Sequence, residues 1–98
     1  MIKKNIYQSG ISVLAAGTEI LGVAAKIWAI TFALEADSTA TVNFSDTASA
    51  YASTSRIGKV VIDGPGTVQL TFPDGCELSN GLCMTSNVGS VDVSVTYE

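Results

Sequence analysis

The residues of this 98-residue chain with the most reactive side chains are its two cysteines. Cys76 and Cys83 lie seven positions apart, on either side of an Asn80-Gly81 turn. A disulfide requires Cβ atoms about 3.5–4.5 Å apart. Strand alternation turns Cys83 away from the core, whereas Cys76 shares a face with the apolar Leu78. Two cysteines on opposite faces do not reach this Cβ separation. We therefore predict two free thiols and synthesis in the cytoplasm.

The chain contains no histidine, which removes the most common general base and rules out Ser-His-Asp and Cys-His arrangements. It also leaves too few ligands for a zinc site. Two carboxylate pairs could in principle act as acid and base, namely Glu35 with Asp37 and Asp74 with Glu77. Each pair flanks a predicted turn, where acids are ordinarily solvated or cap backbone N–H groups. We predict no catalytic residues and a protein that is not an enzyme.

Calcium is the remaining metal to consider, because Asp46, Asp63 and Asp74 stand at predicted strand ends, where loop carbonyls often complete a calcium site. None of them has the spacing of a known calcium loop. The Gly64-Pro65-Gly66 segment is not a phosphate cradle either, since no helix start or lysine follows it. We predict neither a metal site nor a cofactor.

Three aromatic side chains are candidates for ligand contact. Trp28 lies in the apolar run 27–34, where strict alternation places it on the same face as Phe32. This predicts that Trp28 packs in the core and is not a platform for stacking a sugar. Tyr7 and Tyr51 stand among small polar residues and are better candidates for exposed contacts, although the pattern favours ordinary anchoring of a loop for both.

The charge composition excludes two classes of partner. The net charge is −4 and only five residues are Lys or Arg, so no basic cluster could neutralise several phosphates of a nucleic acid. The longest apolar run, 27–34, is far shorter than the roughly 20 residues that span a bilayer. Charged residues make up 14% of the chain, below the typical value of about 25%. Either a partner covers part of the surface, or the surface is rich in Ser and Thr.

The sequence around these residues predicts short strands. Residues 67–72 and 91–97 alternate apolar and polar side chains, the pattern of a strand with one buried face. Turn signals recur roughly every 8–12 residues, as in a sandwich or small barrel. We predict an all-β chain, a single antiparallel β-sandwich or jelly-roll-like domain of about eight short strands over residues 1–98, with residues 1–10 an ordered N-terminal arm or a frayed end. The predicted strands cover residues 27–34, 39–45, 57–62, 67–72, 76–78, 82–86 and 90–97. Residues 11–16 and 19–25 are predicted to form a first pair of strands with a weaker pattern, for which a short helix is the alternative.

Four short motifs in residues 26–98 carry a resemblance to a known class of protein. They are TVNFSD at residues 41–46, Phe72-Pro73-Asp74-Gly75, Asn80-Gly81-Leu82, and the valine-alternating strand at 91–97 with its closing tyrosine. In this order they resemble small β-sandwich structural proteins of tailed bacteriophages, which decorate or cement capsids or form head fibres.

The resemblance implies a non-enzymatic virion component that binds the outer capsid surface and stabilises it, as decoration or cement proteins do. Its partners would be the major capsid protein and further copies of itself, as a dimer or trimer. It would be made in the host cytoplasm and reside on the capsid surface of the virion. The contact area would then include the outward residues Gln69, Thr71, Asp92, Ser94 and Thr96.

Two alternatives remain open. A host-recognition or carbohydrate-binding module of a phage fibre or cell surface predicts exposed aromatic residues, Trp28 and Tyr51, converging at one loop end. A secreted β domain predicts a Cys76–Cys83 disulfide.

Overall fold

The computed structural model describes residues 2–98, which form two four-stranded antiparallel sheets packed face to face. The prediction of an all-β sandwich is confirmed. The strands are β1 (Lys4–Gln8), β2 (Thr18–Leu21), β3 (Ala25–Leu34), β4 (Thr39–Ser45), β5 (Arg56–Asp63), β6 (Gly66–Leu78), β7 (Leu82–Ser86) and β8 (Val91–Tyr97). Sheet A has the order β1-β8-β3-β6, and sheet B has the order β2-β7-β4-β5. Within residues 2–98, no helix is long and apolar enough to cross a membrane.

The core lies between the two sheets and is built by alternation along the strands. Val42 and Phe44 of sheet B are buried, as are the valines of β8. Phe32 of sheet A meets Phe44 of sheet B with ring centroids 6.3 Å apart. This contact joins the two layers near the centre of the molecule.

The N-terminal quarter differs from the prediction. The expected strand at residues 11–16 is wrong, because this segment crosses from one sheet to the other. The Ile11 N–H donates to the Val91 carbonyl of sheet A, and the Ser12 carbonyl accepts from the Ser86 N–H of sheet B. The extended pairing lies earlier, in β1, which pairs with β8. The segment given as an arm or a frayed end thus contains an edge strand.

A β-bulge in β3 overturns the prediction for Trp28. Against β8, the register passes from Ile27 opposite Tyr97 to Ala29 opposite Thr96, so Trp28 is the extra residue of β3. A bulge shifts the alternation by one residue, which exchanges the two faces of the strand. As a result Ile27 is buried, with 1% of its surface exposed, whereas Trp28 is only half-buried, on the outer face.

The predicted turn at Pro73-Asp74-Gly75 lies opposite this bulge. It does not reverse the chain, because β6 runs continuously through it. The Pro-Asp-Gly sequence interrupts strand pairing, since residues 72–75 of β6 stand where β3 has only Trp28.

Candidate functional site

The outward surface of sheet A brings together all five residues that were predicted as contact area. The strand register places Tyr7 opposite Ser94, Ser94 opposite Thr31, and Thr31 opposite Gln69. Equivalent rows lie on either side of this one. We refer to this surface as the outer face of sheet A; its cross-strand rows are Tyr7–Ser94–Thr31–Gln69, Asn5–Thr96–Ala29–Thr71 and Asp92–Ala33–Thr67.

The outer face of sheet A carries hydroxyl, amide and methyl groups, and Asp92 is the one charged side chain in its three described rows. The Thr96 hydroxyl donates to the Asn5 side-chain oxygen at 2.7 Å. Asp92 accepts from the Gly10 N–H at 2.9 Å. The pKa of Tyr7 is raised, mainly by a hydrogen bond with the Asp92 carboxylate and to a smaller extent by desolvation. The face can therefore offer neutral hydrogen bonds and methyl contacts, and its only carboxylate already has partners.

Trp28 lies at one end of this surface, beneath two lysines. The Lys3 ammonium is 4.3 Å and the Lys26 ammonium 4.8 Å from the centroid of the Trp28 ring. Both contacts are cation–π interactions, which the quadrupole of an indole ring stabilises. The stem of Lys26 lies against Gly75 in the bulge. The two ammonium groups occupy the approach to the ring that a stacked sugar would use.

A shallow groove of about 550 Å³ opens next to this end of the sheet. Its charged lining residues are Lys4, Lys26, Glu77 and Glu98. The two lysines and two glutamates balance, so the groove presents no field of one sign to a charged ligand.

The opposite surface, the outer side of sheet B, is partly covered by the chain itself. The loop that follows β4 crosses it, so that the Cys83 thiol donates to the Thr47 carbonyl at 3.3 Å. Farther along this loop, the Tyr51 N–H donates to the Ala16 carbonyl at 2.8 Å. Tyr51 thus belongs to the covering of sheet B, while Trp28 lies on sheet A. The two aromatic residues named for a carbohydrate-binding module do not converge.

The two cysteines are free thiols in different sheets. Cys76 belongs to β6 and is half-buried, whereas Cys83 faces away from the core, as alternation predicted, and is covered by the loop above it. Burial raises the pKa of both thiols, because desolvation disfavours the thiolate. Both cysteines are therefore neutral thiols near neutral pH, and a neutral thiol is a poor nucleophile.

Asp46, one of the three aspartates considered for calcium, uses its carboxylate on the backbone of another turn. Its two oxygens accept from the N–H groups of Ser79 at 3.0 Å, Asn80 at 2.8 Å and Gly81 at 3.3 Å. These backbone hydrogen bonds lower the pKa of Asp46, and the bond from Ser79 has the largest effect. The carboxylate fastens the loop over sheet B to the β6–β7 turn.

The three calcium candidates do not come together. Asp63 instead accepts from the Thr39 hydroxyl at 3.0 Å. Throughout residues 2–98, no three acidic or cysteine side chains are grouped in a way that could hold a metal ion.

Replacing Asp46 with asparagine is expected to destabilise the fold by about 1 kcal/mol, because the amide oxygen can still accept from the N–H groups of the β6–β7 turn but lacks the charge that makes such hydrogen bonds roughly twice as strong. Because the folded-state pKa of Asp46 is depressed, its contribution is present above the unfolded-state pKa and is lost as the pH falls through the folded-state value. Urea denaturation of both proteins between pH 7 and pH 2 should show a difference in unfolding free energy that closes on acidification. A difference that stays constant over this range would show that the charge of Asp46 contributes nothing.

The outer face of sheet A also includes residues that were not singled out from the sequence. Thr31 lies at the centre of this face. The alternation in β3 already placed Thr31 on the face of the strand that points away from the core. Asn5 was missed because β1 is polar and weakly alternating, and only its pairing with β8 shows that it is a strand.

The protein is a small antiparallel β-sandwich. The outer face of sheet A is open and almost neutral, whereas the outer side of sheet B is partly covered by the chain. No protein-family model, curated protein or solved structure matches the chain. The assignment of function therefore depends on the surface itself and on the resemblance noted above.

Proposed function

We propose that this chain is a non-enzymatic virion structural protein that binds the outer surface of a bacteriophage capsid and stabilises it. The observation that carries the proposal is the outer face of sheet A, where four strands present short neutral side chains that chain segments leave uncovered. The motif resemblance in residues 26–98 supports the same function. The proposed partner is the major capsid protein, and the proposed location is the virion surface.

The chemistry of the outer face of sheet A suits a broad contact better than a small-molecule site. Threonine and alanine methyl groups, such as those of Thr31, Ala29 and Ala33, can be buried, while the adjacent hydroxyl and amide groups pair across the interface. A standard protein interface buries about 800 Å² on each partner, and shells bound in this way are stabilised by mass action. Because the rows contain a single charge, binding should depend weakly on ionic strength.

Co-sedimentation with assembled capsids tests the proposal. Thr31→Arg places a large charged side chain at the centre of the outer face of sheet A and is expected to weaken capsid binding roughly tenfold or more, equivalent to about 1.4 kcal/mol. Thr41→Arg is the matched control, since Thr41 lies on the outer side of sheet B between the buried Ala40 and Val42. Equal binding by the two variants, or no binding by the unmodified protein, would contradict the proposal.

One observation favours the alternative of carbohydrate binding. Tyr7, on the outer face of sheet A, is 63% exposed and could stack against a sugar. In that case oligosaccharides would bind the protein and Tyr7→Ala would abolish binding, whereas capsids would not sediment it. That combination of results would replace the capsid proposal.

A further inference from the structure

Each sheet of the sandwich ends in two edge strands, and edge strands usually carry features that prevent pairing with another chain. Three of the four edges described here have such features. β1 is only five residues long and begins with Lys4. β2 has four residues and an irregular register. β5 carries Arg56, Lys59 and Asp63.

The fourth edge, β6, is different. Its residues 66–71 contain no charge, no proline and no bulge, and they pair only with β3. The bulge, which includes Pro73 and Asp74, begins only at Phe72. Alternate residues of this six-residue segment therefore point the free backbone groups of an unprotected edge outward.

The core is also incompletely covered along this edge. Val68 and Leu70 point inward and pack against the core, but both are only half-buried. Their neighbours on β3, Phe32 and Ile30, are 0% and 1% exposed. Apolar surface therefore remains that a further strand would remove from water.

We propose that β6 pairs with β6 of a second copy of this chain, antiparallel, about a two-fold axis at Gln69. In this register Thr67 faces the partner's Thr71, and Val68 faces the partner's Leu70. An isologous interface must be complementary to itself, and residues 67–71 meet this condition because no charge opposes another anywhere in the pairing. Threonine pairs and aliphatic pairs across strands are both stabilising.

The pairing has a structural consequence. It joins the two A sheets into one continuous sheet of eight strands, β1-β8-β3-β6 followed by the same strands in reverse order. The outer faces of the two A sheets then lie side by side. The dimer does not depend on the proposed function, because it forms in the isolated protein.

The wild-type protein is expected to have twice its chain mass of 10.1 kDa in sedimentation equilibrium. Thr67→Lys/Thr71→Lys places two pairs of like charges across the axis and should raise the dimer dissociation constant roughly tenfold or more. Thr67→Lys/Thr71→Glu places opposite charges across the axis and should restore the dimer. Both residues are exposed, so each variant should keep the circular dichroism spectrum and cooperative unfolding of the wild type.

A further variant controls for added charge alone. Ala36→Lys/Ser49→Lys introduces the same two charges at exposed positions outside β6 and should leave the dimer intact. A monomeric wild type, a trimer, or an unchanged dissociation constant in Thr67→Lys/Thr71→Lys would overturn the proposed pairing. A dimer that fails to sediment with capsids would contradict the proposed function and leave the pairing standing.

Discussion

Truncating Phe32 to alanine is expected to lower the free energy of unfolding by about 3–5 kcal/mol, the usual cost of removing a buried phenylalanine side chain. Phe32 is fully buried in β3, between Val93 of β8 and Val68 of β6. Its ring also reaches across the sandwich to Phe44. Loss of the ring leaves a cavity that contacts three strands of sheet A and one strand of sheet B.

This loss is large relative to the whole stability of a small domain, which is about 5–15 kcal/mol. A matched control is Leu14→Ala, because Leu14 is 70% exposed and surface truncations change stability by less than about 0.5 kcal/mol. Urea denaturation followed by circular dichroism measures both variants. A cost for Phe32→Ala below about 1 kcal/mol would mean that Phe32 is not in the core.

The same alternation that places Phe32 in the core made most of the fold predictable from the sequence. Along β8 and residues 67–72 of β6, apolar and polar residues alternate without interruption, so their inward and outward faces follow directly. The five proposed contact residues could be assigned to outward positions for this reason. That they lie on one surface could not be predicted, because it depends on β8 and β6 both flanking β3.

The failures have a common physical cause, since each occurs where the chain departs from regular alternation. Trp28 was assigned to the core because the bulge that turns it outward leaves no trace in the apolar pattern of β3. Residues 11–16 looked like a strand because they are mostly apolar, but they hydrogen-bond to both sheets as they cross between them. Apolar content alone does not distinguish a strand from a crossing segment.

The crossing segment has a glycine in a left-handed conformation next to each of its ends. Gly10 and Gly17 bracket this segment, and both have positive φ values, +71° and +67°. Their surroundings differ. A methyl group on Gly10 would meet no atom within 4 Å, whereas one on Gly17 would overlap the Met84 carbonyl of β7. The two glycines therefore separate the cost of the left-handed conformation from the cost of close packing.

Gly10→Ala is expected to cost about 1–2 kcal/mol, the penalty for a non-glycine residue in the left-handed region. Gly17→Ala should cost about 2–5 kcal/mol, because overpacking adds about 1–3 kcal/mol to that penalty. The added methyl must push the chain away from Met84, next to the point where Thr18 pairs with that residue to begin the β2–β7 ladder. Thermal and urea unfolding of the two variants measure the difference. Equal losses would mean that Gly17 does not lie close against β7.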